Sequence, residues 1–428
     1  MSGLKLTALF ILLAAAVSCG APGSRTPATA ESQADHSLMA AVPSDALVVV
    51  SDSRCSDGLA LLDSANVLRS LDLGQLKNAR MVLSFCYSGS LVPILSIDAG
   101  RAAADSAGTV ADVISRASGL GLKAALLSGG QDSGKRNILV ITPSETQFAA
   151  VRRHLAEHSS IMDAHGFSQA LQLAGSSRSF VILRGNGVPR YLPADFLQGI
   201  FTRRQTVNFM QNTADWAVCC QNGSGHWTIS PSTEGTGVRF AEAMDRLPVT
   251  QSRAGQILPA DTRFAIALPV PSPDFRSSYE SYLDANVRLG KYNNQLTSLR
   301  KGSGKNPLDW EKQLEIKEVV LAVRDSGNVV LVRPGKAAAD LAPEDNPYRG
   351  FTAALYGEAF STGDDSCRAA TGGWLVIGSA EAVRAFISCE ERMPASSWPG
   401  KSCKLIAYTP ENLLCWGKKD IELWSSNR

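Results

Sequence analysis

The sequence predicts an α+β protein of two related lobes, each with a mostly antiparallel sheet and helices packed on one face. Three observations lead there. Apolar β-rich runs come in neighbouring pairs joined by tight turns, at 80–98, 215–231 and 316–334, as antiparallel hairpins do. Helix-period segments do not alternate with these runs in the strand, helix, strand rhythm of a doubly wound sheet. Finally, three segments of the first half recur, in order, in the second.

The echoes are specific. Val42-Pro43-Ser44-Asp45-Ala46-Leu47-Val48-Val49-Val50 matches Leu258-Pro259-Ala260-Asp261-Thr262-Arg263-Phe264-Ala265-Ile266, a Pro-x-Asp turn running into a strand. Met81-Val82-Leu83-Ser84-Phe85, Ser88-Gly89 and Leu91-Val92-Pro93-Ile94 match Val319-Val320-Leu321-Ala322-Val323, Ser326-Gly327 and Val329-Val330-Leu331-Val332, a hairpin with a Ser-Gly turn. Leu139-Val140-Ile141-Thr142-Pro143-Ser144-Glu145 matches Leu375-Val376-Ile377-Gly378-Ser379-Ala380-Glu381, a strand leading into a capped helix. The offsets are 216, 238 and 236 residues. One insertion of about twenty residues, placed in the helical stretch from Asp274 to Arg300, reconciles them.

Along the chain, residues 1–18 place one charge, Lys5, before an apolar run from Leu6 to Val17. That run is shorter than the ~20 residues a spanning helix needs and reads as a secretory signal. It ends in Ala16-Val17-Ser18-Cys19, which resembles the lipobox of bacterial lipoproteins, with Ala16 where Leu is commonest. The resemblance implies cleavage before Cys19 and acylation of Cys19, so that the acyl chains make the membrane a partner. By the sorting habit of such lipoproteins, Gly20 rather than Asp after the cysteine implies the outer rather than the inner membrane; a body facing the periplasm is the expectation, with a surface-exposed one left open. An ordinary cleaved signal with an incidental cysteine is the alternative. Residues 19–40, rich in Ala, Pro, Ser, Thr and Gly, read as a flexible tether with a reach on the order of 25 Å. The first lobe is expected over 41–250 and the second over 251–428. Helices are expected near 57–69, 105–118, 144–158, 236–246, 274–300 and 379–389, with Gly119 and Gly121 capping the second.

Composition narrows the class. Apolar residues at 44% and charged residues at 19% exclude a collagen, a coiled coil or a wholly disordered chain. With 42 Lys+Arg against 40 Asp+Glu and no basic block expected to act on polyanions, nucleic acid is not an expected partner. The lipobox, the Pro-x-Asp strand start, the hairpin, the Val140-Ile141 to Ser144-Glu145 unit and the Phe167-Ser168-Gln169-Ala170-Leu171 helix together resemble a group of exported bacterial envelope proteins known only as domains of unknown function. That resemblance implies no catalytic residues.

Chemistry-bearing patterns are few. His154 and His158 stand at i and i+4 on an expected helix, with Asp163 and His165 following, and such a pair can chelate zinc. A solvated helix end, where histidine complements the dipole and Arg152 and Arg153 disfavour a cation, is the preferred reading. Ser298-Leu299-Arg300-Lys301 matches Ser-x-x-Lys but lacks the partner motifs of penicillin-recognising enzymes. No cofactor fingerprint is present, and Gly223-Ser224-Gly225 reads as a hairpin turn. Besides Cys19 there are Cys55, Cys86, Cys219, Cys220, Cys367, Cys389, Cys403 and Cys415, which an oxidising compartment would let pair or which are buried thiols. Cys219 and Cys220 are adjacent in a strand and are expected not to pair with each other. Trp398, Trp416, Trp424 and Tyr408 either form a binding face or close the second lobe's core, the latter preferred. Three functional readings remain: non-catalytic binding of an envelope protein or glycan, a structural or assembly role, and a hydrolase acting on an envelope polymer. The absence of an assignable acid, base or nucleophile favours binding or assembly.

Overall fold

The computed structural model describes residues 36–52, 76, 79–87, 91–100, 108–109, 111–112, 122–129, 136–157, 159–175, 177, 179–185, 212–222 and 226–425. The expected signal, Cys19, Cys55, the helix at 57–69, Gly119 and Gly121 lie outside them. The chain divides into two compact units, Met1–Glu234 and Gly235–Arg428. Helices and antiparallel sheet occur in both, so the class is α+β.

In the first unit, the end of the expected tether is a helical turn, α1 (His36–Met39), with Leu38 and Met39 buried. The strands are β1 (Val48–Asp52), β2 (Met81–Tyr87), β3 (Leu91–Asp98), β4 (Lys123–Gly129), β5 (Arg136–Thr142), β6 (Phe180–Arg184), β7 (Trp216–Gln221) and β8 (His226–Ser232). Their order is β4-β5-β3-β2-β1-β6-β7-β8, with every neighbour antiparallel. Between β5 and β6 lie α2 (Glu145–Glu157) and α3 (Phe167–Ala174). Ser144 Oγ accepts from Gln147 N to start α2, and Gln147, Val151 and Leu155 recur every four residues on its buried face.

Both faces of this sheet are covered, which corrects the expectation of helices on one face. Val49, Val82, Ile94, Val140 and Ile182 pack with Val151, Leu155, Phe167 and Leu171 of the two helices. The alternate residues Val50, Leu83, Leu95, Ile141 and Val181 form a second core with Leu76 and Ala111. Cys219 and Cys220 pack one against each core and are both free thiols; as adjacent strand residues pointing opposite ways they do not pair with each other.

In the second unit, α4 (Phe240–Asp245) and a two-residue strand β9 (Thr250–Gln251) precede β10 (Phe264–Leu268). Three helices follow, α5 (Ser272–Ala285), α6 (Leu289–Ser303) and α7 (Pro307–Leu314), then the hairpin β11 (Glu318–Arg324) and β12 (Gly327–Arg333). The chain continues through β13 (Leu341–Asp345), α8 (Phe351–Tyr356), β14 (Cys367–Thr371), β15 (Trp374–Gly378) and α9 (Ala380–Ile387). It ends in β16 (Ser402–Cys403), β17 (Leu405–Tyr408), β18 (Asn412–Trp416) and β19 (Ile421–Ser425). The sheet order is β13-β14-β15-β12-β11-β10-β17-β18-β19, again antiparallel throughout, while β9 pairs with β16. Here too consecutive strand residues are buried: Ala265, Val320, Val329 and Val376 pack with Ala382, Val383 and Phe386 of α9. Val319, Leu321, Val330 and Val332, which alternate with them, are equally buried.

Apart from β13, the second sheet repeats the order of the first, and the register agrees with the echoes. One lateral row of the first sheet runs Ala124–Ile141–Leu95–Leu83–Val50–Val181–Cys219–Ile229. Starting from Ile266, the row of the second runs Arg368–Ile377–Val330–Leu321–Ile266–Ala407–Leu414–Leu423. The echoes independently match Val50 with Ile266, Leu83 with Leu321 and Ile141 with Ile377. Only the return strand of the hairpin departs from them. Val92 stands opposite Cys86, and Gly327 opposite Arg324, so the ladder match is three residues from the echo. The first hairpin runs one rung further, to Tyr87 opposite Leu91, with Ser88 and Gly89 outside the described residues, whereas the second turns through Asp325 and Ser326, with Gly327 at φ 113°. At the same rung, Cys86 contacts Asp45 in the first unit, and Arg324 forks onto Asp261 at 2.8 and 2.9 Å in the second. The Pro-x-Asp aspartate thus holds the end of the next strand in each.

The single helix expected over 274–300 is instead a hairpin of α5 and α6. A continuous helix from 272 to 303 would be about 48 Å long at 1.5 Å per residue. Folding back lets Tyr282 and Leu283 of α5 and Tyr292 and Leu296 of α6 all be buried. The reversal is made at Val287, which is left-handed at φ 56° and 95% exposed. For a β-branched residue this conformation costs roughly 1–2 kcal/mol. Of the C-terminal four cysteines, Cys403 and Cys415 form a disulfide between β16 and β18, while Cys367 and Cys389 are free thiols.

Candidate functional site

The helices between β10 and β11, with α8, gather a buried chain of polar side chains. Pro271 ends the strand segment and Pro273 sits in the first turn of α5, leaving Ser272 buried at the helix start. Asn306 caps α7 by accepting from Leu308 N at 3.2 Å, which fixes Trp310 and Glu311 on the inward face. Glu311 is 3% exposed. Its Oε1 accepts from the Ser272 hydroxyl and its Oε2 from the Arg276 guanidinium. Ser272 spends its one proton on Glu311, so the Tyr356 hydroxyl, 2.7 Å away, is the donor to Ser272. Burial, then the charge of Glu311, holds the Tyr356 phenol well above its ordinary range.

Around this chain lie stacked rings. Phe275, Tyr279 and Tyr282 follow one another along α5, Tyr292 of α6 meets Tyr279 edge-on, and Phe275 packs on Tyr356. Burial, reinforced by Glu280 and Glu311, raises the Tyr292 phenol, whose buried oxygen has no hydrogen-bond partner. Outside the rings, a concavity of about 450 Å³ is lined by Pro273, Arg276, Ser277, Glu280, Ser281, Asp284 and Leu289. Arg276 belongs to both layers: its charge is met by Glu311 inside, while its side chain is one-third exposed in the concavity. Glu280 and Asp284 make no ion pair among the described residues, so the concavity presents two carboxylates and the serine hydroxyls.

Chemically this arrangement suits recognition. Ser272 is 1% exposed and already hydrogen-bonded on both sides, so it is not presented to a substrate. The carboxylates and hydroxyls of the open concavity fit a polar or cationic group of side-chain or sugar size.

The residues singled out from sequence are not brought together. Cys19 and His158 lie outside the described residues. His154 Nδ1 is 3.0 Å from Ser159 Oγ, Asp163 closes a capping box with Ser160, and His165 Nδ1 is 2.5 Å from Glu234. Among the described residues no group of three or more His, Cys, Asp or Glu is placed to hold a metal ion. Ser298 and Lys301 are both exposed on α6. Trp398 and Trp416 are buried, and Tyr408 and Trp424 pack half-buried against the core, so these aromatics close the second unit. Among the described residues no helix is long and apolar enough to cross a membrane. Sequence reasoning missed Ser272, Arg276, Glu311 and Tyr356; the one local signal was a Trp-Glu pair on a Pro-started helix. No protein-family model, no curated protein and no solved structure matches this chain.

Proposed function

We propose that this chain is an envelope lipoprotein, acylated at Cys19 and held at the outer membrane facing the periplasm, whose two repeat-related α+β lobes bind a protein or glycan partner without transforming it. The observation that carries the repeat is the lateral register: two ladders lead from Leu83 to Ile141 and from Leu321 to Ile377, and the echoes pair both ends. Two copies of one lobe present related faces, and repeat folds often use such a face for binding. The concavity on α5 supplies a recognition surface, since its carboxylates are free while the buried serine and glutamate are spent on each other. The test offers the purified chain envelope glycan and envelope protein fractions separately, and reads retention and product release. Retention of one intact fraction, lowered at least tenfold by Glu280→Lys with Asp284→Lys, is expected. Release of soluble fragments from the polymer would overturn the non-catalytic reading.

A further inference from the structure

We propose that the tip of the α5–α6 hairpin and the exposed side of α6 form a contact surface for anionic phospholipid headgroups. This goes beyond the acyl anchor proposed above and does not depend on it. From Asp284 to Asp309 the sequence has no acidic residue in between and five basic ones, Arg288, Lys291, Arg300, Lys301 and Lys305. Lys305 lies over the Tyr348 ring at 4.7 Å. The other four are exposed and make no ion pair among the described residues, although the chain as a whole is nearly neutral. They stand in two pairs towards the two ends of a 15-residue helix, their centres about 16 Å apart along its axis. Between them the exposed positions are uncharged: Asn293, Asn294, Gln295, Thr297 and Ser298.

At the turn that starts this helix stands Val287, 95% exposed where the other exposed large apolar side chains among the described residues are 37–46% exposed. Its left-handed backbone is one that glycine or asparagine would occupy with less strain. An apolar side chain held at an unfavourable backbone angle, in full solvent and beside two cations, has the form of a small wedge for a polar–apolar interface. The acidic residues nearby, Glu280 and Asp284, belong to α5 and line its concavity. A lipid surface suits this pattern because headgroups need no fixed spacing of cations. A protein partner would call for an aromatic anchor among the cations. A single nucleic-acid strand would call for stacking rings, and the exposed side of α6 carries no aromatic side chain, Tyr292 being buried.

Hydrogen exchange of the full chain tests this on phosphatidylcholine vesicles, with and without roughly one-third phosphatidylglycerol. Peptides covering 284–303 are expected to exchange more slowly only on the anionic vesicles, and salt should remove the effect. Because the readout is confined to the hairpin, attachment through another segment gives the same baseline on both vesicles. Replacing Arg288, Lys291, Arg300 and Lys301 by Gln should abolish the protection, lowering anionic-vesicle partition roughly fivefold per cation. Val287→Asn should weaken it while raising the denaturation midpoint, which excludes misfolding as the cause. Equal exchange on the two vesicles would overturn the proposal. So would protection given by a soluble acidic polypeptide or heparin but not by vesicles, which would assign the cations to another polyanion.

Discussion

Glu318 offers the sharpest energetic test of the second unit. It opens β11, is fully buried, and accepts from the Ser252 hydroxyl, from Arg253 N at 3.0 Å and from Arg333 Nε at 3.1 Å. Ser252 Oγ in turn accepts from Trp398 Nε1 at 3.0 Å and Ala254 N at 3.2 Å, so one carboxylate ties the segment before β10, two strands and the Trp398 turn together. Removing one partner of a buried ion pair costs about 3–5 kcal/mol. Arg333 is 22% exposed and lies over the Trp374 ring, so part of its charge is solvated and the expected cost of Glu318→Ala is about 3 kcal/mol. Burial pushes the Glu318 carboxyl above its usual range, against the opposing pull of Ser252, Arg253 and Arg333. The folded state therefore holds this proton more tightly than the unfolded chain. The corresponding stability is full below the ordinary glutamate value and is lost as pH rises through the raised one. A neutral Gln, which keeps one acceptor, should accordingly cost less than Ala, about 1–2 kcal/mol. Urea unfolding of the second-unit transition, followed by its tryptophans, measures both. A Glu318→Ala loss below about 1 kcal/mol, or no coupling with Arg333→Met in a double-mutant cycle, would refute the network.

Three further outcomes are expected. Cys415→Ser, or reduction of the wild type, should lower stability by about 3 kcal/mol for a loop of this length, and denatured, unreduced protein should show Cys403 and Cys415 alone among the described cysteines protected from alkylation. Lys404 is 1% exposed, with its Nζ 2.7 Å from Lys418 O and 3.5 Å from Asp245; desolvation pulls its amine below the ordinary lysine value, so its contribution is full above that value and is lost as pH falls through the lowered one. Lys404→Met should then stabilise by about 1 kcal/mol at neutral pH, with the gain shrinking by about pH 10.5 when urea midpoints are compared. Cys19→Ala should abolish incorporation of a labelled fatty acid in cells, and a variant that still labels would remove the acyl anchor from the account.

Much of the fold is legible along the chain because its hairpins are local. The pairs at 80–98, 215–231 and 316–334 fall at β2–β3, β7–β8 and β11–β12, and the helices at 144–158 and 379–389 fall at α2 and α9. What failed was the reading of faces. Met81 to Phe85 and Val319 to Val323 are nearly unbroken apolar runs, the mark of strands covered on both sides rather than of a half-solvated sheet. The α5–α6 reversal gave no warning because a valine rather than a glycine takes the left-handed position. The candidate site was invisible for another reason: Ser272, Glu311 and Tyr356 come from three helices and meet only after those helices pack. Of the histidines that did attract notice, His154 and His165 each meet a nearby partner instead.

The central claim is that both units are built on one strand plan with matching register, and inter-strand nuclear Overhauser effects on deuterated, methyl-labelled protein test it most directly. The account predicts contacts linking Val50 to Leu83, Leu83 to Leu95 and Leu95 to Ile141, and equally Ile266 to Leu321, Leu321 to Val330 and Val330 to Ile377. A slip of one residue in either row, or a β5 that does not lie beside β3 where β15 lies beside β12, would contradict it.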